Sequence, residues 1–119
     1  MGHVRAKVGI ANPGERSKII EVPDALIDTG ATWTSIPRTV ADELSLDIVG
    51  QVRVRTAAGP QTLDQSYAYL QIEGKDLVTF TLISDTYPSV LIGVTTLEGM
   101  GFAVDPVNER LIESELLLL

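Results

Sequence analysis

The residues best suited to chemistry lie in the segment 26–31, which reads Leu-Ile-Asp-Thr-Gly-Ala. A carboxylate such as Asp28, placed directly after apolar residues, is costly to bury unless it is solvated, hydrogen-bonded or functional. The glycine two residues later allows a tight turn that folds backbone N–H groups towards the carboxylate, and the intervening threonine hydroxyl offers a further donor. The segment therefore predicts a carboxylate presented at a strand end and held by local hydrogen bonds.

The Asp-Thr-Gly triplet has two interpretations when it is taken alone. Asp28 is either a catalytic carboxylate or a residue that caps its own backbone in a turn of a plain β-barrel scaffold. Two features favour the catalytic interpretation. The triplet is preceded by Leu-Ile and followed by Ala, and a second apolar strand much later in the chain closes on glycine at Leu91-Ile92-Gly93.

The composition excludes several other kinds of active site. The 119-residue chain has no cysteine, which excludes disulfides, zinc–thiolate sites and thiol nucleophiles. Its single histidine, His3, lies beside the N-terminus, so a Ser–His–Asp triad or a multi-histidine metal site would rest on that one residue. We therefore expect no metal and no cofactor.

Charge and hydropathy patterning bear on the partners and the location of the protein. The net charge of −7 argues against nucleic acid, because phosphate binding needs a basic face. No apolar run approaches the roughly 20 residues that a membrane span needs, and residues 1–10 lack the layout of a secretory signal. We expect a cytoplasmic protein that binds neither nucleic acid nor membranes.

The elements that must position Asp28 are mostly strands, because apolar residues recur with a period of two. The pattern predicts strands over residues 4–10, 17–22, 51–56, 61–72, 77–83, 90–92, 102–105 and 110–113, with Pro23-Asp24 interrupting the strand that leads to Asp28. Helical spacing predicts short helices over 38–44, with Pro37 as the first residue, and over 95–100. These elements indicate one all-β, barrel-like domain covering residues 1–119.

The order and spacing of these motifs resemble the retropepsin-like aspartic peptidases, the group that includes the retroviral proteases and small free-standing microbial members. The family pattern is two apolar residues, Asp-Thr/Ser-Gly-Ala, a hairpin flap, and later two apolar residues and a glycine running into a short helix. Segments 26–31 and 90–98 match its two ends. The hairpin at Ala57, Ala58, Gly59 and Pro60 lies where the flap would be. The resemblance implies a closed acid-protease fold with one lobe per chain.

Two departures from the retroviral pattern concern the site. Thr32 and Val94 stand where retroviral members often carry an acid and its arginine partner. Both members of that pair are absent, so neither charge is left without its partner. The flap has one glycine at its tip rather than several. These departures put substrate recognition in question more than the chemistry.

The activity that the resemblance implies is that of an aspartic endopeptidase acting on peptide or protein substrates. Two carboxylates share a proton across one water; one acts as a base on the water, and the other donates to the scissile carbonyl. This chain has a single Asp-Thr-Gly, so the second Asp28 must come from a second copy related by a two-fold axis. We therefore expect a homodimer.

The resemblance also implies roles around Asp28. Thr29 would form hydrogen bonds across the two-fold axis, and Gly30 would line the substrate cleft together with Ala31 and Thr32. Leu91, Ile92 and Gly93 would lie behind the site, where the glycine lets the chain pass closely. The alternative function is a peptide-binding or dimerisation module that keeps this fold but cleaves slowly or not at all.

Further residues have less specific interpretations. The segment around Val4 and residues 112–119 are candidates for an intersubunit sheet. Trp33 is interpreted first as a core or interface anchor, and second as a wall of the substrate pocket. Arg53 and Arg55 are expected on the solvated face of the flap strand, where Arg55 could meet an acidic side chain of a substrate.

Overall fold

The computed structural model describes residues 4–115, so His3 and the end of the predicted intersubunit segment, residues 116–119, lie outside the described part. Residues 4–115 form nine strands and two helices: β1 Val4–Asn12, β2 Glu15–Asp28, β3 Thr34–Pro37, α1 Arg38–Glu43, β4 Gly50–Thr56, β5 Gly59–Ile72, β6 Lys75–Ser84, β7 Leu91–Gly93, α2 Val94–Met100, β8 Phe102–Asp105 and β9 Arg110–Glu113. Neither helix in this range has the length and apolar character needed to cross a membrane.

Seven strands form one sheet in the order β1-β2-β7-β3-β6-β5-β4. An additional antiparallel pairing of β1 with β5 closes the sheet on itself, and β4 remains at its edge. Two of the pairings are parallel, β2 with β7 and β3 with β6. The last two strands, β8 and β9, form a separate antiparallel pair. The prediction of an all-β, closed, barrel-like lobe with short helices is confirmed.

The core fills the interior of this closed sheet. Alternate residues of the strands point inward, as the period of two requires, and the two helices contribute Ala41, Leu97 and Met100 to the core. The largest fully buried apolar side chains are Ile10, Ile36, Leu70, Ile72, Ile83, Ile92, Leu97, Val8 and Val90. The strand that carries Asp28 is therefore anchored on both sides by well-packed neighbours.

The predicted interruption at Pro23-Asp24 is wrong, because β2 runs unbroken from Glu15 to Asp28. The register between β1 and β2 shifts between Ala6 and Val8, so Lys7 stands opposite both Pro23 and Asp24. Such a bulge tolerates a proline, since the extra residue makes no ladder hydrogen bond that would need an N–H. The long strand delivers the chain directly to Asp28.

The pattern of two-residue alternation missed β3, which is only four residues long. This strand is defined by its neighbours: it runs parallel to β6, and Ser35 pairs with Leu91 of β7. Pro37 ends β3 and is the N-cap residue of α1, so the helix begins at Arg38, one residue later than predicted. Since β3 lies between β7 and β6, it holds the Asp28 loop against the rest of the sheet.

Candidate active site

Asp28 is the last residue of β2, and its Cα is in register with that of Gly93 in the parallel strand β7. The chain turns immediately after it. The Gly30 N–H donates to Asp28 Oδ1 at 2.9 Å, and the Ala31 N–H donates to the Asp28 carbonyl oxygen at 3.1 Å. The carboxylate is half-buried. It therefore lies at a strand end with its orientation fixed by a backbone donor.

The start of α2 holds the loop that follows Asp28. The Val94 N–H donates to the Ala31 carbonyl oxygen at 2.8 Å, and the Thr95 N–H donates to the Thr32 carbonyl oxygen at 3.2 Å. These first-turn N–H groups have no partner within their own helix, so the loop carbonyls satisfy them. The loop and the helix are in this way joined into one backbone unit.

Gly93 is in van der Waals contact with the backbone of Trp33. A Cβ built on Gly93 would lie 2.5 Å from both the carbonyl carbon and the carbonyl oxygen of Trp33. A Cβ atom does not come this close to atoms to which it is not bonded, so only glycine allows the two segments to approach this closely. Because Gly93 is in register with Asp28, any displacement here is transmitted to the carboxylate.

Two buried threonine hydroxyls lie behind the loop. Thr34 Oγ1 and Thr96 Oγ1 are 2.6 Å apart, and Thr34 Oγ1 also accepts the Gly93 N–H at 3.1 Å. The Thr34 carbonyl oxygen in turn accepts the hydroxyl of Thr81 at 3.2 Å. This network was not predicted, because threonines on apolar strands carry no pattern that distinguishes paired hydroxyls from solvated ones.

A cavity of about 700 Å³ opens beside Asp28. Its walls come from the Asp28 loop, from β4 and from residues on β5, β6 and β7. Six of the predicted site residues line it: Asp28, Gly30, Ala31, Thr32, Ala57 and Leu91. Ile92 and Gly93 are buried behind the site, and Thr29 is exposed. Thr29, Ala58, Gly59 and Pro60 lie outside the lining of this cavity.

The hairpin of β4 and β5 has its tip earlier than predicted. The two turn residues are Ala57 and Ala58, while Gly59 pairs with Thr56 and Pro60 pairs with Arg55 inside the ladder. The Thr56 hydroxyl accepts the Ala58 N–H at 3.1 Å and donates to the Gly59 carbonyl oxygen at 2.9 Å. Gly59 has a φ of 107°, which explains the glycine at this position.

The comparisons with known proteins agree with this geometry. The sequence model of a family described as gag-polyprotein putative aspartyl protease matches residues 21–99, a range that contains the Asp28 loop, the hairpin and Gly93. The chain belongs to this family. It is a retropepsin-like aspartic peptidase, as the motifs predicted. No curated protein matches the chain.

Solved retroviral proteases share the fold of this aspartyl-protease chain. The solution structure of simian foamy virus (mac) protease is 19% identical, with a TM-score of 0.57, covering 78% of this chain and 90% of that one. The EIAV protease in complex with the inhibitor HBY-793 is 17% identical, with a TM-score of 0.66, covering 98% of this chain and 94% of that one. At these identities the likeness establishes the fold alone.

Several cleft residues of this chain were not predicted. Val52 and Val54 lie on the half-buried side of β4 and line the cavity with Leu63, which pairs with Val52. Their alternation with Arg53 and Arg55 was visible in the sequence and was the available signal. Ser35, Leu82 and Tyr87 also line the cavity, but only the pairing of distant strands brings them there.

Trp33 is a cleft residue rather than a core residue. Its side chain is 38% exposed and lines the cavity, and its ring centroid lies 4.5 Å from that of Phe80. Tyr67 also contacts Phe80, in an edge-on arrangement with a centroid distance of 6.3 Å. The interpretation of Trp33 as a core anchor is therefore wrong, and its position agrees with the pocket-wall alternative. A role of Trp33 as an interface anchor stays a prediction.

An ion-pair cluster stands beside the cleft. Arg38 donates to both carboxylate oxygens of Asp85, at 2.8 and 3.0 Å, and its Nη1 lies 2.9 Å from Asp64 Oδ2. The guanidinium holds the pKa of Asp85 below its usual range. The Gln51 amide, at 3.1 Å, and then Arg38 lower the pKa of Asp64. The cluster ties α1 to β5 and to the end of β6.

Proposed function

We propose that this protein is an aspartic endopeptidase that hydrolyses peptide bonds as a homodimer, with one Asp28 from each subunit. The observation that carries the proposal is the Asp28 carboxylate, held by the Gly30 N–H at 2.9 Å, at the wall of a cavity of about 700 Å³ in a chain of the aspartyl-protease family. A cavity of that size suits several residues of an extended peptide.

The homodimer supplies what one chain lacks. The mechanism needs two carboxylates that share one proton across a water molecule, and among the described residues Asp28 is the sole acid that lines the cleft. A second copy related by a two-fold axis brings an identical carboxylate to the same water. In this arrangement each chain forms half of the active site.

The water attacks the scissile carbonyl carbon, and the two carboxylates have different roles in this step. The ionised Asp28 accepts a proton as the water oxygen forms a bond to the scissile carbonyl carbon. The protonated Asp28 of the other subunit donates its proton to the carbonyl oxygen, which gives a diol. The first Asp28 then passes the proton from the water to the amide nitrogen, the bond from carbon to nitrogen breaks, and a diol hydroxyl returns a proton to the other Asp28. The Gly30 N–H binds Oδ1 throughout, which holds the carboxylate plane in place.

The experiment that tests this function is cleavage of a diverse peptide library by wild type and by Asp28→Asn, from mildly acidic to neutral pH. We expect discrete cuts by wild type and a loss of at least about 10³-fold in the variant, because an amide cannot act as the base. Asp24→Asn is the matched control, since Asp24 is exposed on the same strand and lies outside the cleft lining. A soluble, folded wild type that makes no cuts would support the binding-module alternative.

Subunit mixing tests the shared site. When wild type is incubated with a ninefold excess of Asp28→Asn, the activity per wild-type chain should fall to about one tenth, because most wild-type chains then pair with an inactive partner. The same excess of an inert protein is the control. Activity that stays unchanged on mixing, and on dilution of wild type alone, would show that one chain suffices.

A further inference from the structure

The nine lysines and arginines of the chain all lie within residues 4–115, and seven of them have a partner there. Four form ion pairs with carboxylates, two donate to backbone carbonyl oxygens, and one stacks on an aromatic ring. In chain order these seven are Arg5, Lys7, Arg16, Lys18, Arg38, Lys75 and Arg110. Within the described part of the chain, Arg53 and Arg55 are the two that have no such partner.

These two arginines are also the two cations that line the cleft. Arg53 and Arg55 alternate with Val52 and Val54 on β4, the edge strand of the sheet, and both side chains are exposed. Asp28 is the one other charged residue in the cavity lining that the structure describes. The wall of the cleft thus carries an excess of positive charge in a chain whose net charge is −7.

Acidic residues near the cleft are already engaged. Arg38 binds Asp64 on β5 and Asp85 just beyond the end of β6, and neither carboxylate pairs with Arg53 or Arg55. Arg53 and Arg55, on the exposed face of β4, belong to the lining of the space that a substrate would fill. A guanidinium there can bind a carboxylate through two parallel N–H···O bonds, which gives both attraction and orientation.

We propose that Arg53 and Arg55 make this cleft selective for peptides that carry Asp or Glu side chains close to the scissile bond. The proposal rests on the proposed function, because it names the substrate class of the same site. The apolar walls at Val52, Val54 and Leu91 take up apolar side chains, and the arginines at the edge of the flap strand bind the acidic ones.

The test compares pairs of peptides that differ by a single Glu→Gln change at each position flanking a cut site. We expect wild type to cleave the best Glu peptide with a kcat/KM about fivefold above that of its Gln partner, since charge-assisted bonds are strong but these groups are exposed. In Arg53→Gln/Arg55→Gln the ratio should fall to about one. Lys7→Gln/Lys18→Gln, which removes the same charge outside the cleft lining, should keep the wild-type ratio. Equal cleavage of Glu and Gln peptides by wild type would overturn the proposal.

Charge reversal provides a readout that loss of structure cannot imitate. Arg55→Glu should reduce cleavage of Glu peptides and raise cleavage of the matched Lys peptides, so that the order of preference inverts. The wild-type preference should also shrink as salt is raised from about 0.05 to 1 M, because screening weakens exposed charge pairs. A preference that survives both changes would assign the selectivity to another part of the cleft.

Binding measurements separate failure of this proposal from failure of the peptidase. Fluorescence anisotropy with labelled Glu and Gln peptides is measured on Asp28→Asn, with and without the two arginine substitutions. Cleavage by wild type without Glu selectivity overturns the arginine proposal and leaves the peptidase in place. Arginine-dependent binding of Glu peptides without any cleavage overturns the peptidase and leaves the arginine proposal in place. If Glu peptides are neither bound nor cleaved, both proposals are overturned.

Discussion

The hydroxyl oxygens of Thr34 and Thr96 lie 2.6 Å apart, both fully buried, directly behind the strand pair that ends in Asp28 and Gly93. Thr34 Oγ1 also accepts the Gly93 N–H at 3.1 Å. One side chain on β3 thereby links the N-terminal turn of α2 to the residue in register with Asp28. The hydroxyl of Thr34 thus positions the strand end that carries Asp28, although it does not line the cleft.

Thr34→Val should destabilise the fold by about 2 kcal/mol and lower the cleavage rate, because it leaves the Gly93 N–H without its acceptor and the Thr96 hydroxyl without its partner. Urea unfolding and kcat measure the two effects. Thr34→Ser keeps the oxygen and should recover most of both. Thr39→Val, an equivalent change at an exposed position of α1, should alter neither. Full activity in Thr34→Val would contradict the positioning role.

Gly93→Ala should cost about 2 kcal/mol or more of unfolding free energy, since its Cβ would lie 2.5 Å from backbone atoms of Trp33 and the backbone would have to move. Because Asp28 is paired with Gly93, kcat should fall as well. Thermal unfolding and peptide cleavage are the measurements. Gly50→Ala is the control: its Cβ would meet the flexible end of the Gln65 side chain at 3.3 Å, which can rotate away. An effect no larger than that of the control would count against the close contact.

The Arg38 cluster predicts a specific dependence of stability on pH. The pKa values of Asp64 and Asp85 are lowered in the folded protein, so their ionisation stabilises it above their unfolded pKa of about 3.9. That contribution should be lost as the pH falls through the lower, folded values. Urea midpoints measured between about pH 6 and pH 2 should therefore decrease on acidification.

Arg38→Gln should reduce the decrease of the urea midpoint on acidification. In this variant the pKa of Asp85 returns towards its usual value, and the pKa of Asp64 is lowered only by Gln51. Lys7→Gln is the control, since the ion pair of Lys7 with Glu21 is 67% and 64% exposed at its two side chains and contributes little. If the urea midpoints of wild type and Arg38→Gln decreased equally on acidification, the Arg38 cluster would not be the source of this pH dependence.

Trp33 should report on cleft occupancy, because it is the single tryptophan of the chain and lines the cavity. Its fluorescence should change when Asp28→Asn binds peptides with apolar side chains, and saturation should follow the affinity measured by anisotropy. Trp33→Ala should raise KM for these peptides about tenfold, whereas Trp33→Phe keeps a ring against Phe80 and should raise it less. If the tryptophan fluorescence did not change when a peptide bound, the peptide would bind outside this cavity.

The sequence by itself determined the fold class and the candidate catalytic carboxylate. A carboxylate between apolar residues and a glycine turn, with a second apolar strand closing on glycine, needs no distant information, because strand alternation and turn residues act locally. Asp28, Gly30 and Gly93 were identified on this basis, and the structure places them together with the spacing described above.

The tertiary structure alone decided what surrounds Asp28. The strand β3 exists because β6 and β7 offer it partners, the bulge opposite Lys7 absorbs Pro23, and the Thr34–Thr96 pair joins residues from distant parts of the chain. The placement of Arg53 and Arg55 in the cleft likewise depends on how the hairpin folds over the loop. These relationships rest on contacts between residues far apart in sequence, and a local pattern carries no record of which distant segment will supply the partner.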